Sequence, residues 1–583
     1  MGGWGEQGEQ GEQRGMGGKS SPKSKIQNLK SWMGRWDVIF LQIPNVVLSP
    51  NRRLLVRWGR SPNRPFPMPK WFNTAGPCQA DIHYMLAPLA RLPQLERLVA
   101  QRGYFVIHAP RQMGKTTAML ALAQQLTASG AYTAVMVSAE VGAAFPHDPG
   151  AAEFAMLGSW RDRAENHLPT ELHPPPWPHA EPGQRLQAAL RAWTKASPRP
   201  LVIFIDEIDA LQDETLISVL RQLRSGYPDR PQGFPQSLAL IGVRDVRDYK
   251  VASGGSRRLN TSSPVNIKLK SLTLRNFTLA EVESLYQQHT VETGQLFEPE
   301  ATQQAFELTQ GQPWLINALA KEIVEELVTE PTQPITATHI KTAKEILIQR
   351  QDTHLDSLAS ILREDRVRAV IEPMLAGREL GDIPHDDVQF LIDLGLCRMG
   401  SQGGLVIANP IYQEVLPRVL SQTPQASLPQ ISPSWLTAAG DLDPDQLLQA
   451  FLSFWRQHGQ PLLKSAPYHE IAPHLVLMAF LHRVVNGGGV LEREYAIGSD
   501  RMDLCLRYGT VTLGMELKVW REGRPDPIKV GLEQLDRYLA GLGLKTGWLV
   551  IFDQRLGLPP IAERTTTELA MTPGHREIVV IRG

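Results

Sequence analysis

Residues 105–117 read FVIHAPRQMGKTT, and residues 201–207 read LVIFIDE. The first is a short apolar strand run that breaks into a tight loop ending in Gly114-Lys115-Thr116. The second is an apolar run ending in Asp206-Glu207. Each half explains the other. In the loop Ala109-Pro110-Arg111-Gln112-Met113-Gly114-Lys115, backbone N–H groups of residues 110–115 can wrap the phosphates, and the Lys115 ammonium can reach the β- and γ-phosphates. The Thr116 hydroxyl, with Thr117 following it into a helix, can ligate Mg²⁺, and Asp206 can hold that ion through water. Glu207 is then placed to polarise the attacking water. Together the two runs predict an α/β fold with a parallel sheet of the P-loop type.

The loop departs from G-x-x-x-x-G-K-[ST] at its first glycine, which is Ala109. Alanine fits there only if φ stays negative. Outward from the loop, strand-like runs recur at 104–109, 132–138, 201–206 and 238–243 with helical patterns between them. That alternation predicts parallel strands and right-handed crossovers, with ligands at the strands' carboxyl ends. Arg244, just past the fourth run, is a candidate sensor of the γ-phosphate because a guanidinium bonds phosphate oxygens in a fixed fork. A surface ion pair with Asp245 or Asp248 is the competing role. The insert HPPPWPHAEP (173–182) reads as a surface loop, and its two histidines lack ligand spacing.

A chain of 583 residues exceeds one core, and roughly three to five domains are expected. Hydrophobic content of 42% and charged content of 21% are those of an ordinary globular protein. The formal net charge is zero, so any contact with nucleic acid must come from a local patch. Cys78, Cys397 and Cys505 are far apart, which argues against a disulfide framework or a structural zinc and fits a cytoplasmic setting. No apolar run approaches the ~18–20 residues that span a bilayer, and no secretory leader is visible.

Residues 1–68, with a GEQ repeat and then a basic Ser/Pro/Arg stretch, read as a disordered extension. Two alternatives stand: an upstream translated segment ahead of a start at Met68, and a basic arm for nucleic acid. The core is placed at 69–250. Residues 251–345 read as a helical lid in which Gly311-Gln312-Pro313 opens the last helix. Residues 346–420 end in a helix, a Gly-rich turn and an apolar strand, which suggests a winged-helix-like module. Such modules bind DNA in some proteins and bridge domains in others. Residues 421–439 begin uncharged and Ser/Pro/Gln-rich and mark a linker, and 440–583 should form a separate domain.

That last domain carries a second constellation. Residues 489–520 read as a β-meander with Asp503 on one strand and Glu516 and Lys518 on the next, where alternation puts the latter two on one face. Two carboxylates beside a lysine can bind Mg²⁺ and orient water for attack on a phosphodiester. Glu470, near the start of an apolar helix, could add a third carboxylate. Gln534 and Tyr538 share one face of a later helix. A solvated Glu–Lys pair on a strand edge is the plain alternative.

At this point the motifs APRQMGKTT, IFIDEID and GQPW, with the ordered set Asp503…Glu516-Leu517-Lys518…Gln534, resemble bacterial AAA-like P-loop ATPases fused to a PD-(D/E)XK nuclease-like domain. The resemblance covers about residues 69–345 and 440–560. It implies ATP and Mg²⁺ bound by Lys115, Thr116, Asp206 and Glu207, and a nuclease set of Asp503, Glu516 and Lys518 supported by Glu470 and Gln534. It also implies an αβα restriction-endonuclease-like domain, DNA as substrate, and self-association, since AAA-like cores often act as rings. A signalling NTPase switch with a non-catalytic binding domain at the C-terminus is the second function class. A nucleic-acid-binding protein with two degenerate sites is the third.

Overall fold

The structure, a computed structural model, describes residues 69–243, 270–350, 364–375, 383–400, 403–427, 433–465, 472–485, 488–497 and 500–583, with a few isolated residues between them. Strands β1 (Tyr104–His108), β2 (Thr133–Ser138), β3 (Leu201–Asp206), β4 (Ser237–Gly242) and β5 (Lys270–Thr273) form a parallel sheet in the order β2-β3-β4-β1-β5. β1 pairs with β4 and β5, and β3 pairs with β2 and β4. β1 to β4 are apolar almost throughout because helices cover both faces of the sheet. Helices α1 (Leu95–Ala100) and α2 (Lys115–Ala128) close one face over Phe105, Ile107 and Phe204. Helices α3 (Pro149–His167), α4 (Arg185–Ala196) and α5 (Asp213–Gly226) close the other, where Trp160 and Trp193 pack on Ile203 and Ile205.

Four helices follow: α6 (Leu279–Thr293), α7 (Pro299–Thr309), α8 (Pro313–Glu322) and α9 (Ala337–Arg350). α6 starts at a capping box of Thr278 and Glu281. The Gln312 side chain caps α8 by accepting from the Leu315 N–H at 2.6 Å. Helices α10 (Asp365–Leu375) and α11 (His385–Asp393), the hairpin β6 (Cys397–Met399) and β7 (Leu405–Ile407), and α12 (Pro410–Ser427) come next. One continuous core joins all of these, running from Phe72 and Tyr84 through Leu315 and Leu319 to Leu391 and Ile411.

The last part holds α13 (Pro444–Ser465), α14 (Ala472–Val485), β8 (Gly489–Ile497), β9 (Asp500–Tyr508), β10 (Val511–Trp520), α15 (Ile528–Leu542), β11 (Thr546–Asp553), α16 (Ile561–Arg564), β12 (Thr566–Met571) and β13 (Glu577–Arg582). Its six strands lie in the order β12-β13-β11-β10-β9-β8. β8, β9 and β10 are antiparallel, and β11 is parallel to both β10 and β13. α13 and α14 cover one face with Phe451, Trp455 and Phe480, and α15 covers the other with Leu535, Tyr538 and Leu539. The result is three layers, helix–sheet–helix. Among the described residues no helix is long and apolar enough to cross a membrane.

Charged side chains are buried where this part meets the helical region. Lys344 Nζ lies 2.9 Å from Glu345 Oε1 and 2.7 Å from Glu414 Oε1. Arg418 reaches Glu345 at 3.4 Å and donates to the Leu491 carbonyl at 3.1 Å. The group thus ties α9, α12 and β8 together. Burial, with Arg418 nearby, pushes the His482 imidazole of α14 down to about 4.

Candidate nucleotide site and a second carboxylate cluster

The Gly114-Lys115-Thr116 segment turns β1 into α2. Gly114 has φ +88° and Gln112 φ +60°, so two left-handed residues fold the loop over the helix start, where unpaired N–H groups and the helix dipole favour an anion. Ala109 is not among the described residues with positive φ, which is the condition under which alanine replaces the usual glycine. The Lys115 ammonium donates to the carbonyls of Ala109 at 2.7 Å and Pro110 at 2.9 Å. Burial brings its pKa down to about 8 despite the opposing charge of Asp206.

Asp206 ends β3 beside this loop. Thr116 Oγ1 donates to its Oδ2 at 2.8 Å, and the Glu207 N–H donates to its Oδ1 at 3.0 Å. The Asp206 carboxyl is raised by burial, against the pull of the Thr116 bond. Glu207 has φ +56°, a costly left-handed backbone for a residue with a side chain. Its Oε2 accepts from Ser138 Oγ at 3.1 Å, which orients the carboxylate at the end of β2. Lys115, Thr116, Asp206 and Glu207, named from the sequence, are therefore brought together. Arg244 lies outside the described residues.

Sequence reasoning missed the cleft beside the loop. Its walls come from the segment 73–91, from Gln112, Met113, Gly114 and Thr117 of the loop, and from Phe277, Leu285, Pro313, Trp314 and Asn317. Thr117 Oγ1 accepts from the Cys78 N–H at 3.1 Å, and Trp314 Nε1 donates to the Thr74 carbonyl at 2.9 Å. Arg91 stacks over Phe277 and donates to the Met113 carbonyl at 2.8 Å. Gly311 lets α8 start close to Phe277, since a Cβ there would come within 2.0 Å of the Phe277 carbonyl oxygen. The only sequence signal was GQPW.

A parallel sheet ordered β2-β3-β4-β1-β5, with a lysine loop after β1 and a bonded Thr–Asp pair across to β3, decides the architecture. The sheet β1 to β5 with its flanking helices has a P-loop NTPase fold.

No family model matches the chain, and no curated protein matches it. Solved structures similar to it include a Walker-type ATPase of Pyrococcus abyssi, 12% identical, covering 59% of this chain and 99% of that one, with a TM-score of 0.42. The RuvB Holliday junction branch migration motor of Thermotoga maritima is 16% identical, with 54% and 89% covered and a TM-score of 0.30. The ORC2 protein of Aeropyrum pernix is 15% identical, with 58% and 93% covered and a TM-score of 0.36. The assignment of the fold rests on the sheet order and the loop, not on these likenesses.

In the C-terminal sheet, Asp503 on β9 accepts from the Leu517 N–H through Oδ2 at 2.8 Å. Glu516 Oε1 accepts from Lys518 Nζ at 2.5 Å. Met515 and Leu517 face α13 and α14, so alternation turns Glu516 and Lys518 toward α15. Glu516 is 3% exposed, and burial with Asp503 beside it pushes its carboxyl up to about 7. Its Oε2 and the Oε1 of Gln534 are buried without a hydrogen-bond partner. An unmet buried carboxylate oxygen is a suitable cation ligand. Among the described residues no group of three His, Cys, Asp or Glu is arranged around a common metal position. Glu470 lies outside them.

Proposed function

We propose that this chain is an ATP-binding and ATP-hydrolysing AAA-like protein that couples its nucleotide state to a C-terminal, Mg²⁺-dependent, restriction-endonuclease-like domain acting on DNA. The observation that carries the ATPase half is the Thr116–Asp206 hydrogen bond of 2.8 Å beside Lys115 and Glu207. Thr116 and Asp206 would hold Mg²⁺, which screens the phosphate charge as it develops. Lys115 exchanges its two carbonyl partners for phosphate oxygens. Glu207, fixed by Ser138, accepts a proton from the attacking water. Arg244 remains the proposed γ-phosphate contact.

Support for the nuclease half is the order α14-β8-β9-β10-α15-β11, the three-layer packing, and Glu516 and Lys518 on the α15 side of β10. Asp503 and Glu516 would hold the metal, with Glu470 as a third ligand and Gln534 in support. The metal would supply Lewis-acid polarisation of the phosphate and its water. Lys518 then balances the charge that builds on the phosphate. The shared core of α6 to α12 and the buried Lys344–Glu414–Arg418 group are the physical route by which a lid movement reaches this domain. Self-association and a cytoplasmic location complete the proposal. Plasmid nicking with Mg²⁺ or Mn²⁺, with and without ATP, tests it. Wild type should cut and Glu516→Ala should not. Equal cutting by both, or none by either, removes the nuclease half.

A second reading, a signalling switch whose C-terminal domain only binds, is favoured by one observation. Asp393 and Gly395 of the winged-helix-like module press on the start of the P-loop. ATP-dependent self-association without DNA-stimulated hydrolysis would select it.

A further inference from the structure

The amino ends of β1, β3 and β4 lie at the edge of the sheet opposite the P-loop, because these strands are parallel. Three segments meet there: 96–103 ahead of β1, 191–200 ahead of β3 and 221–236 ahead of β4. The first carries Arg97 and Arg102, and the second Arg191, Lys195 and Arg199. The third carries Arg221, Arg224 and Arg230, and the acidic residues of all three are Glu96 and Asp229. A chain whose formal net charge is zero thus gathers eight basic against two acidic residues at one end of its sheet. The segments are braced to one another. Arg191 pairs with Asp229 at 2.6 Å, and Gln187 of α4 donates to Ser225 Oγ of α5 at 2.9 Å. The Arg230 guanidinium stacks over Tyr227 and donates to the Arg102 carbonyl. Arg97, Arg102, Lys195, Arg221 and Arg224 are exposed, and none of them has an ion pair with a described carboxylate.

We propose that this end of the sheet is a second DNA-contact surface, one that grips the phosphate backbone of a duplex without reading its sequence. It rests on the reading of DNA as the partner, and on neither the cutting site nor the nucleotide. Helix dipoles account for a basic residue in the last turn of α4 or α5, but not for Arg102, Arg199 and Arg230 in the connections that follow the helices. Backbone binding needs only cations spread along the phosphates. A protein partner would need apolar anchors, and none of the large apolar side chains exposed among the described residues lies in these three segments. The nearby end of α3 is close to balance, with Arg161 and Arg163 against Asp162 and Glu165, which bounds the patch on that side. Strands of this length put roughly 17–20 Å between the patch and the P-loop, so a duplex held here leaves the nucleotide site open.

The test is fluorescence anisotropy of the full chain on a labelled duplex of about 30 base pairs, in chelator and without nucleotide, between about 50 and 200 mM salt. The triple variant Lys195→Gln/Arg221→Gln/Arg224→Gln should flatten the slope of log K against log salt by about 2–3, near 0.9 for each lost phosphate contact, and weaken binding at least about tenfold at low salt. Its melting temperature and MgATP affinity should not move. Lys321→Gln/Lys341→Gln/Lys545→Gln removes the same charge elsewhere and should keep the wild-type slope. A wild type that binds no duplex, a triple variant with the wild-type slope, or a control that loses as much would each overturn the surface. Loss of poly-glutamate binding with DNA binding intact would mean an acidic protein partner, and also overturns it. Binding without nicking keeps this surface and removes the nuclease half. Nicking with binding unchanged in the triple variant does the reverse.

Discussion

Asp393, the last residue of α11, lies 3.9 Å from His108, the last residue of the P-loop strand β1. Both side chains are buried, and His108 Nε2 also pairs with Thr273 Oγ1 of β5 at 3.1 Å. Two residues on, Gly395 has φ +76°, and a Cβ added there would come within 2.6 Å of Pro110 Cγ. The end of α11 and the turn after it therefore pack on the loop that is proposed to hold the phosphates.

Gly395→Ala forces either the loop or the module to move. It should cost about 1–3 kcal/mol of stability from backbone strain and should also weaken ATP binding. Gly403→Ala is the control, since Gly403 has φ +85° but nothing within 4 Å. It should lose stability and keep nucleotide affinity. Thermal melts and ATP titrations of the two variants separate strain from a specific effect on the loop.

The buried Glu516 predicts a pH dependence. Its folded pKa, pushed up to about 7 from an ordinary 4.5, means the folded chain keeps a proton that the unfolded chain has released. The stability linked to that proton is present below the ordinary carboxylate pKa and is lost as pH rises through about 7. In chelator, Glu516→Gln should melt higher than wild type above pH 7, by roughly 1–3 kcal/mol, and the two should converge near pH 4.5. Divalent ions need the carboxylate, so wild-type Mn²⁺ affinity should rise with pH up to about 7. Melting curves that stay parallel across this range would count against the burial argument.

The Lys344 group predicts a non-additive pair. Lys344→Met leaves Glu345 and Glu414 facing each other and should cost about 3–5 kcal/mol. Adding Glu414→Leu removes one stranded charge and leaves Glu345 with Arg418, so the double variant should recover much of the loss. Denaturant midpoints of the two singles and the double give the coupling directly. If the C-terminal domain answers to the nucleotide through this group, the double variant should also uncouple ATP from any DNA cutting.

Much of the architecture is legible in the residues. FVIH, TAVMVS and LVIFID are apolar runs of strand length, the first closed by the Gly-Lys-Thr loop and the third by an acidic pair, and they form β1, β2 and β3. The meander over β8 to β10 is legible, and alternation puts Glu516 and Lys518 on one face of β10. β5 is not: it is four residues long at the sheet edge and buries only Leu272. The cleft is not legible either. It depends on contacts such as Trp314 to Thr74, which are 240 residues apart. A division at 345 is not visible in the packing, because α6 to α12 share one core. Helix α12 runs on to Ser427, past the compositional change at residue 421.

Residues 109–116 and 206–207 are proposed to form a working ATPase site. The most direct test is phosphate release from MgATP by wild type and Glu207→Gln, with ATP affinity measured on both. The variant should bind ATP within a few-fold of wild type and lose about 10²–10⁴-fold in rate, the usual worth of a general base. A wild type that does not bind ATP, or a variant that hydrolyses it at the wild-type rate, would contradict it.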